Sequence, residues 1–483
     1  MKILMVATEC VPLVKTGGLG DVVGALSGAL AGGGIETAVV LPAYGAILEK
    51  CRVEDTGLEV AVTLDRRRVS GKVLKARVER LAPIFLIRND DYFARPGLYG
   101  TAAKDYPDNA ERFAFFAKAA LEVAAATGPW DVLHCHDWQS SLAPVLIKAG
   151  TAKAAAKTIL TIHNLAYQGL FPFSQWPLLG LAPAYFTPEY LEFYGKINFL
   201  KGGILCADAL TTVSRKYAEE ILTPEYGSGL EGVLAERKRD LHGILNGVDY
   251  REWNPEIDKF IKKNYAPDNM AGKGECKKEL QQLYNLPQRA STPLLGIVSR
   301  LADQKGIDLL LDIVDQLLGM DLQLVVLGSG DQKYQELISE LAAVHPKRIG
   351  VTIGFDNALA HKIEAGADMF LMPSRYEPCG LNQIYSLKYG TVPVVRATGG
   401  LDDTIEDFDP LSGNGNGFKF ADYSGQAFLS AIKRALAVYM SEKAWKQVTA
   451  NGMAADFSWE RSAREYLDLY RSLASVPPAH SAA

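Results

Sequence analysis

Apolar residues fall along this chain in short β-rich runs separated by stretches with helical spacing. Lys2 to Thr8 and Thr37 to Leu41 are the first two runs, and the helical stretch between them completes a βαβ opening. Further buried-strand runs are Ile84 to Ile87, Asp131 to Cys135, Thr158 to Ile162 and Ala209 to Val213. Helical patterns separate several of them, such as ERFAFFAKAALEVAAA from Glu111. The pattern then restarts with Leu294 to Ser299, Leu322 to Leu327, Val351 to Ile353, Met369 to Met372 and Val392 to Val395. Strand alternating with helix predicts an α/β protein with parallel sheets covered on both faces.

Between the two series lies NGVDYREWNPEIDKFI, whose Asn, Pro and charge content predicts a connection with a boundary near Gly247. A chain of 483 residues is too long for one core. The expected organisation is a Rossmann-like domain over 1–246, a second over 247–456, a helix over 457–475 and a disordered tail over 476–483. TGGL occurs at Thr16 to Leu19 and again at Thr398 to Leu401, each time after a strand and at a helix start. Two doubly wound domains, each with a glycine-rich helix start, account for that echo.

Composition narrows the function. A net charge of −5 gives no electrostatic case for nucleic acid or an anionic membrane as partner. The basic cluster Arg66-Arg67-Arg68 sits between alternating segments and reads as a solvated hairpin tip. The N-terminal apolar run ends at Glu9 without a cleavage site, and no stretch is long enough to span a bilayer. Six scattered cysteines favour reduced thiols over a disulfide framework, so a cytoplasmic location is expected.

Within KTGGLGDVVGAL the glycines spell G-x-G-x-x-x-G, yet a dinucleotide fingerprint starts directly after the first strand and needs an acid after the second. Here the first strand ends near Thr8, and the second ends LPAY without a carboxylate. Lys15 and exposed amides at Thr16, Gly17 and Gly18 at a helix start instead make an anion site, for a phosphate or diphosphate. A tight structural turn is the plain alternative.

Four further segments carry candidate chemistry. SRLADQKGIDLL places Arg300 and Lys305 at a strand-to-helix junction, where the pair would neutralise a diphosphate or form surface ion pairs. In MPSRYEPCGLNQIYSLKYG, Glu377 precedes the free amides of Cys379, Gly380 and Leu381, so it reads as a helix-start acid or as part of a polyhydroxyl site. HCHDW puts His134 and His136 on one face, but with no third ligand cluster a metal is not expected, and Asp137 is the better polar contact. TIHNLAYQG puts His163 and Asn164 at a strand end, where the histidine is either a satisfied core residue or functional. Asn246 in NGVD is a turn residue or a ligand contact, and Asp407-Phe408-Asp409 is discounted as a metal motif.

Taken together, KTGGLGDVVGALSGAL, HCHDWQSSLAPV, TIHNLAYQG, NFLKGGILCADALTTVS, YAEEILTPEYGSGLEGVL, GILNGVDYREWNP, SRLADQKGIDLL, PSRYEPCGLNQIYSLKYGTVPVVRATGGL and FSWERSAREYLDLY closely resemble the bacterial glycogen synthase and plant starch synthase family. The resemblance runs from about residue 3 to about residue 470. It implies a GT-B fold: two Rossmann-like domains facing a deep interdomain cleft, with the last helix crossing back onto the first domain. It implies transfer of glucose from ADP-glucose to the non-reducing 4-hydroxyl of an α-1,4-glucan, with retention and without a metal or other cofactor.

Carried over onto this sequence, the resemblance has Lys15, Gly17 and Gly18 touch the diphosphate and sugar. Arg300 and Lys305 would stabilise the departing ADP, while Glu377 and the Cys379, Gly380 and Leu381 amides hold glucose hydroxyls. His163 would line the reacting face, with Asp21, Asp137 and Asn246 completing the site. Thr398, Gly399 and Gly400 would meet the phosphates from the other side, and Phe355 would stack on adenine. The expected partners are ADP-glucose and glycogen or maltooligosaccharide, for a monomer or small homo-oligomer. The rivals are a UDP-glucose-dependent synthase of the same fold and a non-catalytic glucan-binding protein; a binding module would have no need of diphosphate cations.

Overall fold

The computed structural model describes residues 1–101, 104–152 and 156–475, so the expected tail over 476–483 lies outside the described residues. The chain forms two compact units. Unit 1 takes Met1–Val213, Ala218–Gly247 and the segment from Trp459 onward; unit 2 takes Ser214–Tyr217 and Val248–Ser458.

Unit 1 is built on β1 (Lys2–Val6), β2 (Glu36–Pro42), β3 (Val53–Leu64), β4 (Arg67–Ala76), β5 (Ile84–Arg88), β6 (Val132–His136) and β7 (Lys157–Ile162). A small antiparallel sheet follows from β8 (Leu170–Pro172), β9 (Glu192–Phe193) and β10 (Lys196–Asn198). The main sheet is completed by β11 (Ala209–Thr212) and β12 (Leu241–Gly243). Its order is β12-β11-β7-β6-β1-β2-β5-β4-β3. All neighbours are parallel except around β4, which pairs antiparallel with both β3 and β5.

The hairpin β3–β4 turns at Asp65 and Arg66, so the arginine cluster does sit at a hairpin tip. Arg66 and Arg68 are exposed, and Arg67 pairs with Glu111. The first strand ends at Val6 rather than Thr8, because the chain turns out of the sheet toward Glu9.

Unit 2 is a six-stranded parallel sheet of β13 (Leu294–Val298), β14 (Gln323–Gly328), β15 (Ile349–Ile353), β16 (Met369–Met372), β17 (Val392–Arg396) and β18 (Phe418–Phe420). Its order is β15-β14-β13-β16-β17-β18. Alternate strand residues feed two hydrophobic clusters, one around Leu295, Val326, Leu371 and Phe428, the other around Leu294, Val325, Phe370 and Leu387. That split is the signature of a sheet covered by helices on both faces. The six cysteines are unpaired, and among the described residues no helix is long and apolar enough to cross a membrane.

The helix Trp459–Ala474 packs on the helix Gly18–Gly32 in unit 1, burying Tyr466 and Tyr470 completely. Tyr470 Oη then meets His134 Nδ1 at 2.8 Å beneath the sheet's ligand edge.

Candidate active site

In each unit the candidate residues sit just beyond the carboxyl ends of parallel strands, where open α/β sheets place ligands. In unit 1 the glycine loop after β1 is held by Glu9. Its carboxylate accepts from Thr16 N at 2.6 Å, Thr16 Oγ1 at 2.7 Å, Gly17 N at 3.2 Å and Tyr99 Oη at 2.7 Å. The sequence suggested free Thr16 and Gly17 amides, but both are engaged by a buried internal carboxylate. A Cβ added at Gly17 or Gly18 would meet nothing within 4 Å, so both face open space. Gly20, Gly24 and Gly28 serve packing instead: a Cβ there would lie 2.8 Å from Lys15 Cβ, 2.4 Å from the Val11 carbonyl and 2.6 Å from the Arg80 carbonyl. Lys15 is 49% exposed and bonds Asp21 at 3.0 Å. Burial raises the Asp21 carboxyl against the pull of Lys15, and Glu9 adds to the rise.

Deeper in the same unit, β6 and β7 end side by side, with His136 opposite Thr161. Asp137 follows β6 with a left-handed φ of 55° and turns its carboxylate onto the His163 amide at 2.7 Å. It ties the two strand ends together. Burial pushes the Asp137 carboxyl up to about 7, with the Glu9 charge adding to the rise while the His163 and Asn164 amides oppose it.

His163 Nε2 lies 3.0 Å from His136 Nδ1, and burial lowers His163 and His134 to about 3 and His136 well below its ordinary value. Among the described residues no cluster suited to a metal forms; His134 spends both ring nitrogens on Tyr470 and Thr161. Asn246 is buried, and its side-chain carbonyl oxygen has no partner among the described residues.

In unit 2 the loops after β13 and β16 meet. A turn over Asp303–Lys305 leads to Gly306, whose φ is 70° and whose added Cβ would stand 1.9 Å from the Pro373 carbonyl. That approach lays Lys305 on the loop carrying Glu377. Lys305 Nζ donates to Glu377 Oε2 at 2.5 Å, and Ser374 Oγ to the same oxygen at 3.1 Å. Glu377 is only 6% exposed, yet its Oε1 takes no hydrogen bond among the described residues. Arg300 bonds Gln304, which in turn donates to the Tyr376 carbonyl, so both cations attach to one loop.

Past Glu377, Gly380 has a φ of 69° and precedes the helix Asn382–Lys388. The amides of Gly380 and Leu381 donate to no group among the described residues, as the helix start requires.

Thr398 N donates to Arg396 O, and Gly400 N to the Glu377 and Pro378 carbonyls. A Cβ at Gly399 or Gly400 would fall 2.0 Å from the Glu377 or the Cys379 carbonyl. These glycines let one loop lie on another, and so support Glu377 from behind. Phe355 stands apart at 84% exposed, after Gly354, with a free ring face. The discounted Asp407 and Asp409 bond Arg434 and the local turn.

Residues missed in the sequence are Glu9, Tyr99, Ser374 and Gln304. Glu9 had a signal, since it lies three residues past the end of the first strand. Tyr99 had none, because it comes from a loop 90 positions away.

Residues 2–236 match the starch synthase catalytic domain family, and 284–451 match glycosyl transferases group 1. The chain is 50% identical over 481 residues to a glycogen synthase of Koribacter versatilis, covering 99% of each. It is 51% identical to one of Anaeromyxobacter dehalogenans, covering 98% of this chain and all of the relative. Its structure is similar to the catalytic domain of starch synthase IV from Arabidopsis thaliana bound to ADP and acarbose, with a TM-score of 0.89 at 32% identity, covering 98% of this chain and 99% of that one. Sucrose-phosphate synthase from Thermosynechococcus elongatus, at 18% identity and a TM-score of 0.62 over 98% of each chain, shares the fold. With its two-sheet GT-B architecture and its relatedness along nearly its full length, the chain belongs to the glycogen and starch synthase family.

Proposed function

We infer that this chain transfers glucose from ADP-glucose to the non-reducing 4-hydroxyl of an α-1,4-glucan, with retention, in glycogen synthesis. The observation that carries the reading is Lys305 against a half-engaged Glu377, with Arg300 attached to the same loop. Expulsion of a nucleoside diphosphate needs cations on the leaving phosphate. Holding the sugar needs an acceptor and donors: Glu377 Oε1 and the Gly380 and Leu381 amides supply them.

Arg300 and Lys305 are assigned to the departing phosphates, Phe355 to the adenine, and His163 with Asn246 to the sugar side. Lys15, with Gly17 and Gly18 open beside it, is assigned to the donor, and Asp21 holds Lys15 in place. Cys379 lends its backbone to the same loop; Thr398, Gly399 and Gly400 are assigned to the phosphates, and the two glycines also let their loop lie against the one carrying Glu377.

A double displacement would need a carboxylate nucleophile below the sugar. Glu377 is neutralised by Lys305, and Asp137 is committed to the His163 amide, so neither suits that task. The step is therefore a front-face substitution. The bond from C1 to the phosphate oxygen breaks with its electron pair leaving on ADP, the acceptor O4 bonds C1 on the same face, and the O4 proton passes to the departing phosphate.

Incorporation of glucose into glycogen from ADP-glucose and from UDP-glucose, for wild type and Glu377→Ala, tests the assignment. ADP-glucose-dependent transfer lost in the variant supports it. Preference for UDP-glucose moves the chain to another donor class, and transfer from neither makes it a binding protein. Since cations and amides do the charge work, activity should survive EDTA. We place the reaction in the cytoplasm, for a monomer or small homo-oligomer.

A further inference from the structure

Three buried imidazoles cluster in unit 1, and the reaction as assigned uses only one. His134 and His136 have ring centroids 4.2 Å apart, and His136 and His163 5.3 Å apart. His134 is complete, with a partner on each nitrogen. His136 is not. Its backbone N and O both bond Ser140 Oγ, and its Nδ1 lies 3.0 Å from His163 Nε2, but its buried Nε2 has no partner among the described residues. His163 keeps 9% exposure, and its Nδ1 makes no hydrogen bond among the described residues.

Two neutral rings share one proton across the 3.0 Å contact, so one donates and the other accepts. If His163 donated from Nε2, His136 would accept at Nδ1 and carry its own proton on Nε2, leaving a buried N–H with no acceptor. If His136 donates from Nδ1, its Nε2 is a bare lone pair. Orphaned buried N–H groups are the rarer omission, so the second arrangement is preferred.

We propose that His136 is a positioning residue that fixes His163 as its Nδ1–H tautomer, so that the accessible edge of His163 offers an N–H donor to a hydroxyl of the transferred sugar. Tilted packing against the His134 ring and the Ser140 clamp on the His136 backbone hold His136 in place for this purpose. The functional half rests on His163 facing the sugar. The tautomer half stands on geometry alone.

The test uses full-length protein labelled with 15N in the histidine rings, with His163 assigned from His163→Gln. Long-range proton–nitrogen correlation at neutral pH should find the His163 proton on Nδ1. His136→Asn, whose amide can donate from near the Nδ1 position, should keep that state; His136→Leu should lose or mix it. With ADP-glucose and glycogen, kcat of His136→Leu should fall roughly 10- to 100-fold with KM little changed, and His136→Asn should recover most of it. A His163 proton on Nε2 in the wild type, or one tautomer in all three proteins, overturns the proposal. The expected tautomers with full kcat in His136→Leu would overturn its functional half and place His163 outside the reaction.

Discussion

Lys305 and Glu377 form an ion pair in which the cation holds one carboxylate oxygen at 2.5 Å and leaves the other unbonded among the described residues. The pair is mostly buried, with side-chain exposures of 18% and 8%. Lys305→Ala removes both the partner of Glu377 and a cation at the leaving group. We expect kcat to fall by about 10²–10³ with the KM for glucan little changed. Lys305→Arg should not restore it, because a planar fork does not replace a point charge in this space. Steady-state kinetics with ADP-glucose decides; a loss confined to KM would assign Lys305 to ground-state binding only.

Gly306 tests the scaffold rather than the chemistry. A Cβ there meets the Pro373 carbonyl at 1.9 Å in a left-handed conformation. Gly306→Ala should cost about 1–3 kcal/mol in unit 2 and lower kcat by moving Lys305 off Glu377. Chemical denaturation reads the first effect; unchanged stability would mean that the two loops can separate freely.

Glu9→Gln keeps the shape of the internal anion but offers one acceptor oxygen to donors that now bond two. The glycine loop should loosen, with a stability loss of about 1–3 kcal/mol and a raised KM for ADP-glucose. Thermal unfolding and kinetics together check this. A lower KM would mean instead that Glu9 competes with the donor for the loop amides.

Acid should unfold unit 1 steeply. The histidine cluster is held neutral, His134 and His163 at about 3 against an ordinary 6.5, so each ring gains a proton on unfolding between those values. Stability therefore falls as pH drops through that window. Asp137 acts in the opposite sense: held near 7 against 3.8, it releases a proton on unfolding and favours the native state toward lower pH. The net uptake is about two protons near pH 5, or about 3 kcal/mol per pH unit there. Denaturation at several pH values measures the slope, and Asp137→Asn should make it steeper. A flat profile would show that the cluster opens to water before the unit unfolds.

The parallel strands were legible because burial on both faces writes an uninterrupted apolar run, as in Met369 to Met372. The amphipathic helix at Trp459 was legible for the complementary reason, a marked apolar stripe. Arg300, Lys305 and Glu377 could be nominated because strand ends are where such sheets act. What the chain could not disclose was which polar group each residue finds. The Thr16 amide looked open in KTGGLGD, yet the carboxylate that takes it lies back along the chain at Glu9, while the tyrosine steadying Glu9 comes from residue 99. The second TGGL resembled the first locally, but its amides turn inward on Arg396 and Glu377. His136 and His163 are 27 positions apart, and only the pairing of β6 with β7 makes them neighbours.

The return of Trp459–Ala474 to unit 1 sets an order for biosynthesis. The main body of unit 2, Val248–Ser458, is one continuous stretch, whereas unit 1 needs Tyr466 and Tyr470 to fill its core and satisfy His134. On the ribosome the N-terminal half therefore emerges first and is finished last, waiting with an unsealed surface until the final helix is made. Nascent chains arrested before Trp459 should be the form most prone to chaperone capture and proteolysis, and completion of the last helix is the event that commits the first-made half to its native state.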